Sequence, residues 1–353
     1  MECSKLLKDC NIDCYIETLD YNKRYLTNFS GTTCEVILTP KGTHFITDGR
    51  YQTQVKSELY DGINIHITSN DCGYYQHIKN IISPYNKIGI NGEVTLGFFQ
   101  TLVNDFPDKE IVVINGMVES LRLIKTDEEI NKIRKAIAIS EQSFKEVVAK
   151  YLQPGVSERD IKAHLECQQI LNGADDYAFQ SIVASGENGA KPHADFSDRI
   201  INNNELVTID FGCFYQGYCS DITRTLLVGE TISDELLHIY NLVKECNELQ
   251  IKALRPGVSC QAIDQIGRDF FKQHGVLEAF MHGTGHGIGL DYHEGPYLNQ
   301  VDTTILQPGM IVTIEPGLYF EGLGGVRIED DVLITEDGYE VLTTLSKDYK
   351  IKN

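Results

Sequence analysis

The sequence of 353 residues lacks any apolar run of about 18 residues, the length that a membrane-spanning helix needs. It is also poor in basic residues, because 31 Lys and Arg stand against 51 Asp and Glu, which gives a formal net charge of -20. Nucleic acids and anionic membranes are bound mainly through basic surfaces. The sequence therefore predicts that neither a nucleic acid nor a membrane is the partner.

The ten cysteines form no CxxC pair and show no regular spacing. In a chain of this length, that pattern is typical of reduced thiols. The first residues, MECSKLLKDCNIDCYIE, also lack the basic segment followed by an apolar segment that marks a signal peptide. Both observations predict a cytoplasmic protein.

The length and a 42% apolar content predict a folded protein of two domains. In the first part, short apolar stretches such as CEVILT, THFITD, INIHIT, KIGING and EIVVING alternate with turns and with helical segments such as YYQHIKNII. A long amphipathic helix follows, with a capping box of Thr126 and Glu129 at its start. We therefore predict an α/β domain over residues 1–120 and a second domain over residues 121–353.

The second domain contains an internal repeat. LQPGVSERDI, which begins at Leu152, returns as LRPGVSCQAI, and LVTIDFG returns downstream as IVTIEPG. The repeat matches Asp210 with Glu315, and on the strands that follow it matches Asp221 with Glu329. The conserved order of turn, helix and two acidic strands predicts two halves related by a pseudo-two-fold axis.

Such an axis would bring the four carboxylates together, and like charges at close range raise one another's pKa. Two divalent cations would supply the four positive charges needed to neutralise them. The repeat therefore predicts a site for two metal ions.

Three histidines, His282, His286 and His293, lie in the glycine-rich stretch MHGTGHGIGLDYHEGP. Gly283 stands where an HExxH zinc helix has its glutamate, and no GxGxxG register for a dinucleotide fits. We predict His286 as a nitrogen ligand to a metal. His282 and His293 are predicted to support the site or to contact the substrate.

Two further candidates lie beside the carboxylate strands. His193 stands in KPHADFSD, where Pro192 restricts the backbone of the loop. Arg327 precedes Glu329 by two residues, on the same face of its strand, from where it can fix a ligating carboxylate. A surface role remains the alternative for both.

The motifs TIDFG, CSDITRT, HGTGHGIGLDYHEGP, TIEPGLY and GGVRIEDDVLIT together resemble those of the pita-bread metallopeptidases, in the Xaa-Pro aminopeptidase and prolidase branch. YLTNFSGT and FITDGRY resemble the creatinase-like N-terminal domain of that branch. The resemblance implies an α/β (α+β) fold in which a creatinase-like α/β domain precedes a pita-bread domain with internal duplication.

The resemblance also implies residue roles. The metal ligands would be Asp210, Asp221, His286, Glu315 and Glu329, with Asp221 and Glu329 bridging two ions. The residues expected to take part in catalysis are His193, His282, His293, Glu315 and Arg327. The oxygen-rich ligand set favours manganese, with cobalt or zinc as alternatives.

The activity implied by the resemblance is that of an Xaa-Pro aminopeptidase, acting on peptides with proline at the second position through a metal-bridging hydroxide. A prolidase, which cleaves only Xaa-Pro dipeptides, is the alternative, and a non-catalytic pita-bread binding protein is a third reading. The resemblance further implies a homodimer. Whether Arg50 in TDGRY reaches an active site stays open.

Overall fold

The computed structural model describes residues 3–350. The chain divides into two compact units between Arg122 and Leu123. No helix within the described residues combines the length and the apolar content needed to cross a bilayer. The cysteines at all ten positions are free thiols.

A mixed six-stranded sheet forms the centre of the first unit. The strand order is β4-β3-β2-β1-β5-β6, with β1 antiparallel to β2 and parallel to β5. The strands are β1 (Cys14–Glu17), β2 (Glu35–Thr39), β3 (Gly42–Thr47), β4 (Asn64–Ile67), β5 (Lys87–Ile90) and β6 (Glu110–Val113). The helices are α1 (Cys3–Asp9), α2 (Asp20–Thr27), α3 (Val55–Glu58), α4 (Tyr74–Ile82), α5 (Leu96–Asp105) and α6 (Glu119–Arg122).

The five predicted strands of this unit are confirmed as β2 to β6, and the predicted helix YYQHIKNII is confirmed as α4. Both faces of the sheet are covered. Tyr15 packs with Phe45 on one face, whereas its neighbour Ile16 packs with Ile37 and Ile88 on the other. This alternation follows from the two-residue period of a strand. Arg50 lies in an exposed turn, where its guanidinium pairs with Asp48.

The second unit begins with a long helix and contains the repeated halves. Its helices are α7 (Asp127–Tyr151), α8 (Glu158–Leu171), α9 (Asp234–Ala253) and α10 (Cys260–Gln273). Its strands are β7 (Asp176–Tyr177), β8 (Ile182–Ser185), β9 (Glu205–Phe211), β10 (Cys213–Tyr215), β11 (Tyr218–Cys219), β12 (Ile222–Val228), β13 (Gly285–Gly287), β14 (Glu294–Leu298), β15 (Ile311–Ile314), β16 (Gly317–Phe320), β17 (Gly324–Arg327), β18 (Asp330–Ile334) and β19 (Tyr339–Val341). The predicted capping box of Thr126 and Glu129 opens α7.

The two halves repeat each other at the level of backbone hydrogen bonds. Ser157 caps α8 and Ser259 caps α10, and each makes an isolated antiparallel bridge to a residue ahead of a carboxylate strand, Ile200 and Ile305 respectively. The Pro-Gly turns are tied in the same way, by Gly155 N–H to Ile201 O and by Gly257 N–H to Leu306 O, both at 2.9 Å. The predicted internal duplication is therefore visible in the pairing of the chain.

The strands of the second unit form three-stranded sheets of order β12-β9-β8 and β11-β10-β7, a five-stranded sheet of order β14-β13-β15-β18-β19, and a two-stranded sheet of β16 and β17. Helices α9 and α10 pack against the strands through a core that includes Val243, Phe271, Leu318 and Val326. This packing fixes the strand ends from which the acidic residues project.

Candidate metal centre

Each half contributes a pair of acidic residues from neighbouring strands. Asp210 lies near the end of β9 and is paired with Thr223 of β12, two residues beyond Asp221. Glu315 follows β15 directly, and β15 pairs with β18, which begins one residue after Glu329. Antiparallel pairing thus places the two acids of each half side by side.

The two pairs meet with the predicted histidines in one cavity of about 550 Å³. Its wall includes all nine residues predicted for the site: Asp210, Asp221, His286, Glu315, Glu329, His193, His282, His293 and Arg327. Residues that are more than 130 positions apart in the sequence therefore line the same space.

Glycines on both sides of His286 allow its strand to fit between two others. A side chain at Gly285 would begin 2.1 Å from the carbonyl oxygen of Thr313, and one at Gly287 would begin 2.1 Å from the carbonyl oxygen of Gly295. Because no larger residue fits at either position, β13 can lie close to both neighbours and direct His286 into the cavity.

The imidazole of His286 has a defined tautomer. Its Nδ1 lies 3.1 Å from the carbonyl oxygen of Gly287, which can only accept, so Nδ1 carries the proton. Nε2 therefore presents a lone pair, 3.3 Å from Glu315 Oε1 and 3.7 Å from Asp221 Oδ2. Burial, together with the neighbouring His293, lowers the pKa of His286 to about 3, so the ring is neutral.

Three carboxyl groups of the site, those of Asp221, Glu329 and Glu315, have raised pKa values. Burial and the Glu329 carboxylate raise the pKa of Asp221 well above its usual range, and burial with the Glu315 carboxylate does the same for Glu329. Burial and Asp210 raise the pKa of Glu315 to about 8 against the opposing effect of Arg327. A positive group held among these residues would stabilise the ionised forms of all three.

The unpaired oxygens of the cluster suit a cation. Asp210 Oδ1 and Asp221 Oδ1 are buried and have no hydrogen-bond partner, which is costly for a polar atom. Potential ligand atoms of Asp221, His286 and Glu329 all lie within 4.8 Å of one another. Three carboxylates and a neutral imidazole nitrogen are donors that divalent metal ions accept, so these residues fit the metals that the sequence predicts.

Arg327 and Tyr319 join the acids to His282. Arg327 donates to Asp210 Oδ2 at 2.6 Å and to the Tyr319 hydroxyl at 2.9 Å, and it is 3% exposed. His282 Nδ1 lies 2.7 Å from the Gly283 carbonyl and therefore donates to it, so Nε2 accepts from the Tyr319 hydroxyl at 2.9 Å. Both ring nitrogens of His282 are thus engaged within the protein.

The two remaining histidines differ from His282, because His193 and His293 are exposed to the cavity. The ring of His293 lies 4.2 Å from that of His286, measured between centroids. Phe179 and Tyr292, with ring centroids 5.4 Å apart, form an aromatic part of the wall. The exposed imidazoles and the aromatic pair are the surfaces that an entering molecule would contact.

Several residues that support the site could not be identified from the sequence. Thr223 Oγ1 donates to Glu329 Oε2 at 2.6 Å, the Asp221 N–H donates to Asp331 Oδ2 at 3.1 Å, and Tyr319 holds Arg327. Thr223 and Asp331 stand in the quoted motifs, but no charge pattern distinguishes a supporting residue from its neighbours in the sequence. Phe179 has no sequence signal, since a single aromatic residue is common.

Known proteins share this architecture. Residues 131–336 match Metallopeptidase family M24, and residues 2–124 match the Creatinase/Prolidase N-terminal domain. The Xaa-Pro dipeptidase of Pyrococcus furiosus is 38% identical over 274 residues, which cover 78% of this chain and 78% of that protein.

Two solved structures extend the likeness to nearly the whole chain. An Xaa-Pro dipeptidase from Bacillus anthracis has a TM-score of 0.94 and 37% identity, covering 99% of this chain and 98% of that one. An X-Pro aminopeptidase from Thermotoga maritima MSB8 has a TM-score of 0.89 and 33% identity, covering 98% of this chain and 100% of that one. From the family match, the fold and the converging acids, we conclude that this chain belongs to metallopeptidase family M24.

Proposed function

We propose that the protein is an Xaa-Pro dipeptidase that requires divalent metal ions. The observation that carries the chemistry is the convergence of four carboxylates and one neutral imidazole, with two buried carboxylate oxygens left unpaired. The similarity to proteins named Xaa-Pro dipeptidase supports Xaa-Pro dipeptides as the substrate. The expectation of an aminopeptidase from the sequence is thus supported less well than its prolidase alternative.

In this proposal, Asp210, Asp221, His286, Glu315 and Glu329 hold the metal ions. Bound divalent ions would supply Lewis acidity and lower the pKa of water. Glu315 lines the cavity and its side chain is partly accessible, at 17% exposure. It is therefore suited to take a proton from water and pass it to the departing proline nitrogen.

The exposed imidazoles are assigned to the substrate. His193 and His293 can donate N–H groups to the scissile carbonyl oxygen or to the carboxylate of a dipeptide, because both face the cavity. His282, predicted as catalytic, is instead assigned to positioning, since Tyr319 and the Gly283 carbonyl occupy its two nitrogens. Phe179 and Tyr292 offer apolar contact to the dipeptide's side chains.

The second candidate is an Xaa-Pro aminopeptidase. Among the described residues that line the cavity, Arg327 is the one Lys or Arg side chain, and it is already bound to Asp210 and Tyr319. A strict dipeptidase gains from a cation that recognises the free carboxylate. If dipeptides are the substrate, the imidazoles must bind the free carboxylate. The similarity to the Thermotoga maritima enzyme also favours the aminopeptidase candidate.

Three peptides separate the candidates. The purified protein, supplied with Mn²⁺, is assayed on Ala-Pro, on Ala-Pro-amide and on Ala-Pro-Ala, with Ala-Ala as the control for proline. A dipeptidase hydrolyses Ala-Pro with kcat/KM at least ~100-fold above the amide and the tripeptide, because only the free dipeptide presents a carboxylate to the imidazoles. Faster hydrolysis of Ala-Pro-Ala would establish the aminopeptidase instead. Metal binding without turnover of any peptide would refute both.

Manganese is the proposed metal, on the strength of the oxygen-rich donor set. A cytoplasmic location is proposed from the ten free thiols, which a reducing compartment maintains. The homodimer implied by the resemblance is part of the same proposal, and light scattering of the purified protein tests it.

A further inference from the structure

A buried ion pair outside the predicted site includes Glu294, which directly follows the cavity-lining His293 in the chain. Lys125 Nζ is 2.9 Å from Glu294 Oε1, and the two side chains are 2% and 8% exposed. Taking two charges out of water has a large desolvation cost, so a buried ion pair is poor evidence of a contribution to stability. Such pairs can instead specify one arrangement of the groups around them.

Glu294 lies close to two histidines of the site, His293 in the chain and His286 in the sheet. It directly follows His293 and is the first residue of β14, and in the sheet it is paired with Gly287, which directly follows His286. Its second oxygen, Oε2, accepts the N–H of Asp291 at 3.3 Å and so closes the short loop that carries His293. The carboxylate therefore holds that loop against the strand of His286.

The backbone around Lys125 is itself held in place by the second unit. The backbone N–H of Lys125 donates to the carbonyl oxygen of Gly309 at 2.9 Å, just ahead of β15. The side chain of Leu123 packs close to Gly295, since a methyl carbon of Leu123 lies 3.3 Å from the position where a Gly295 side chain would begin. The segment from Leu123 to Lys125 is thus attached to two of the strands that surround the site.

We propose that Lys125 is a positioning residue for the hydrolysis: through its ion pair with Glu294, it sets the location of His293 relative to His286. The inference rests on the proposed function, because His293 is the group assigned to the substrate. It deepens that function by adding a residue that touches neither the substrate nor the metals. In this role the ammonium acts through one carboxylate and one loop.

The test uses the full chain with the variants Lys125→Met, Glu294→Gln and the double variant. Each single change removes one charge of the pair and leaves the other charge buried, whereas the double variant removes both charges. We expect both single variants to lose at least ~10-fold in kcat on Ala-Pro, with KM changed less than ~3-fold. The double variant should regain the melting temperature of the wild type but not its kcat, because Lys125 no longer fixes the side chain that closes the loop.

A second measurement does not depend on turnover. In protein labelled with ¹⁵N-histidine, the ring signals of His293, assigned with a His293→Gln variant, should shift in all three variants. Lys252→Met is the matched control, because Lys252 pairs with Glu248 on the exposed face of α9. It should change neither kcat nor the His293 signals.

A double variant with wild-type kcat and unshifted His293 signals would overturn the positioning role and leave only a structural bond. If the wild-type protein hydrolyses none of the three Pro-containing peptides, the proposed function fails, and the His293 signals alone decide. Shifted signals then support the positioning of His293 by Lys125, and unshifted signals refute it.

Discussion

Replacing Asp221 with asparagine should stabilise the second unit in the absence of metal, although it removes a residue of the site. The Asp221 carboxylate is buried and its Oδ1 has no hydrogen-bond partner, and burial together with Glu329 raises its pKa. A neutral amide removes one of the repelling charges. Its N–H group can also donate to the free lone pair of His286 Nε2, which lies 3.7 Å from Asp221 Oδ2.

The size of the effect follows from the geometry. Two unit charges separated by 4.8 Å, the limit that encloses the ligand atoms of Asp221 and Glu329, repel by about 3.5 kcal/mol at an effective dielectric constant of 20. Proton uptake at neutral pH removes part of this repulsion, which leaves an expected gain of about 1–3 kcal/mol. In a domain of this size, each kcal/mol shifts the melting temperature by about 2–4 °C.

Scanning calorimetry of chelator-treated protein, before and after addition of Mn²⁺, measures both consequences. The wild-type protein should gain about 2.7 kcal/mol at a metal concentration 100 times Kd, and Asp221→Asn should lose this gain together with the activity. Asp176→Asn, at an exposed position of the same unit, is the control. A metal-free Asp221→Asn protein that melts at or below the wild-type temperature would refute the argument from charge repulsion.

Thr223→Val removes the hydroxyl that donates to Glu329 Oε2 and changes the shape of the side chain little. The affinity for metal, measured by competition with a chelator, should therefore fall by about 10–100-fold. Unchanged affinity would show that Thr223 does not support Glu329 as a ligand. In the first unit, burial raises the pKa of Glu17 from 4.5 to about 7, so the folded state holds a proton that the unfolded chain releases. The free energy of unfolding of this unit should therefore fall by up to about 3 kcal/mol as the pH rises from about 4.5 to 7, and urea titrations should show a flatter pH dependence for Glu17→Gln. The same slope in both proteins would show that Glu17 titrates normally.

The acidic residues of the site were predictable because a carboxylate at the end of an apolar strand is unusual and because the repeat presents it twice. The duplication itself could be read from the Pro-Gly turns, since each needs the same residues to form the same hydrogen bonds. By contrast, β1 was missed. Its four residues, CYIE, are all buried, so they show no alternation and are too few to give a periodic signal.

Interactions between distant positions left no trace in the sequence. Lys125 and Glu294 are 169 residues apart, and neither shows from its own surroundings that it has an oppositely charged partner. The substrate preference could not be predicted from the sequence for a related reason. The motifs contain the residues proposed as metal ligands, whereas the cavity wall is completed by residues outside those motifs, such as Phe179 and Tyr297.

The two halves of the second unit match in their backbone but not in the donors they offer. Thr208 of β9 corresponds to Thr313 of β15. On the neighbouring strand, Ala184 is paired with Thr208. In the other half, the backbone N–H of His286 donates to the Thr313 hydroxyl. The methyl group of Ala184 in one half therefore corresponds to the imidazole of His286 in the other half. Two metal ions bound between these halves would be inequivalent: only one would have a nitrogen ligand, and that position would select among metals more strongly than its all-oxygen counterpart.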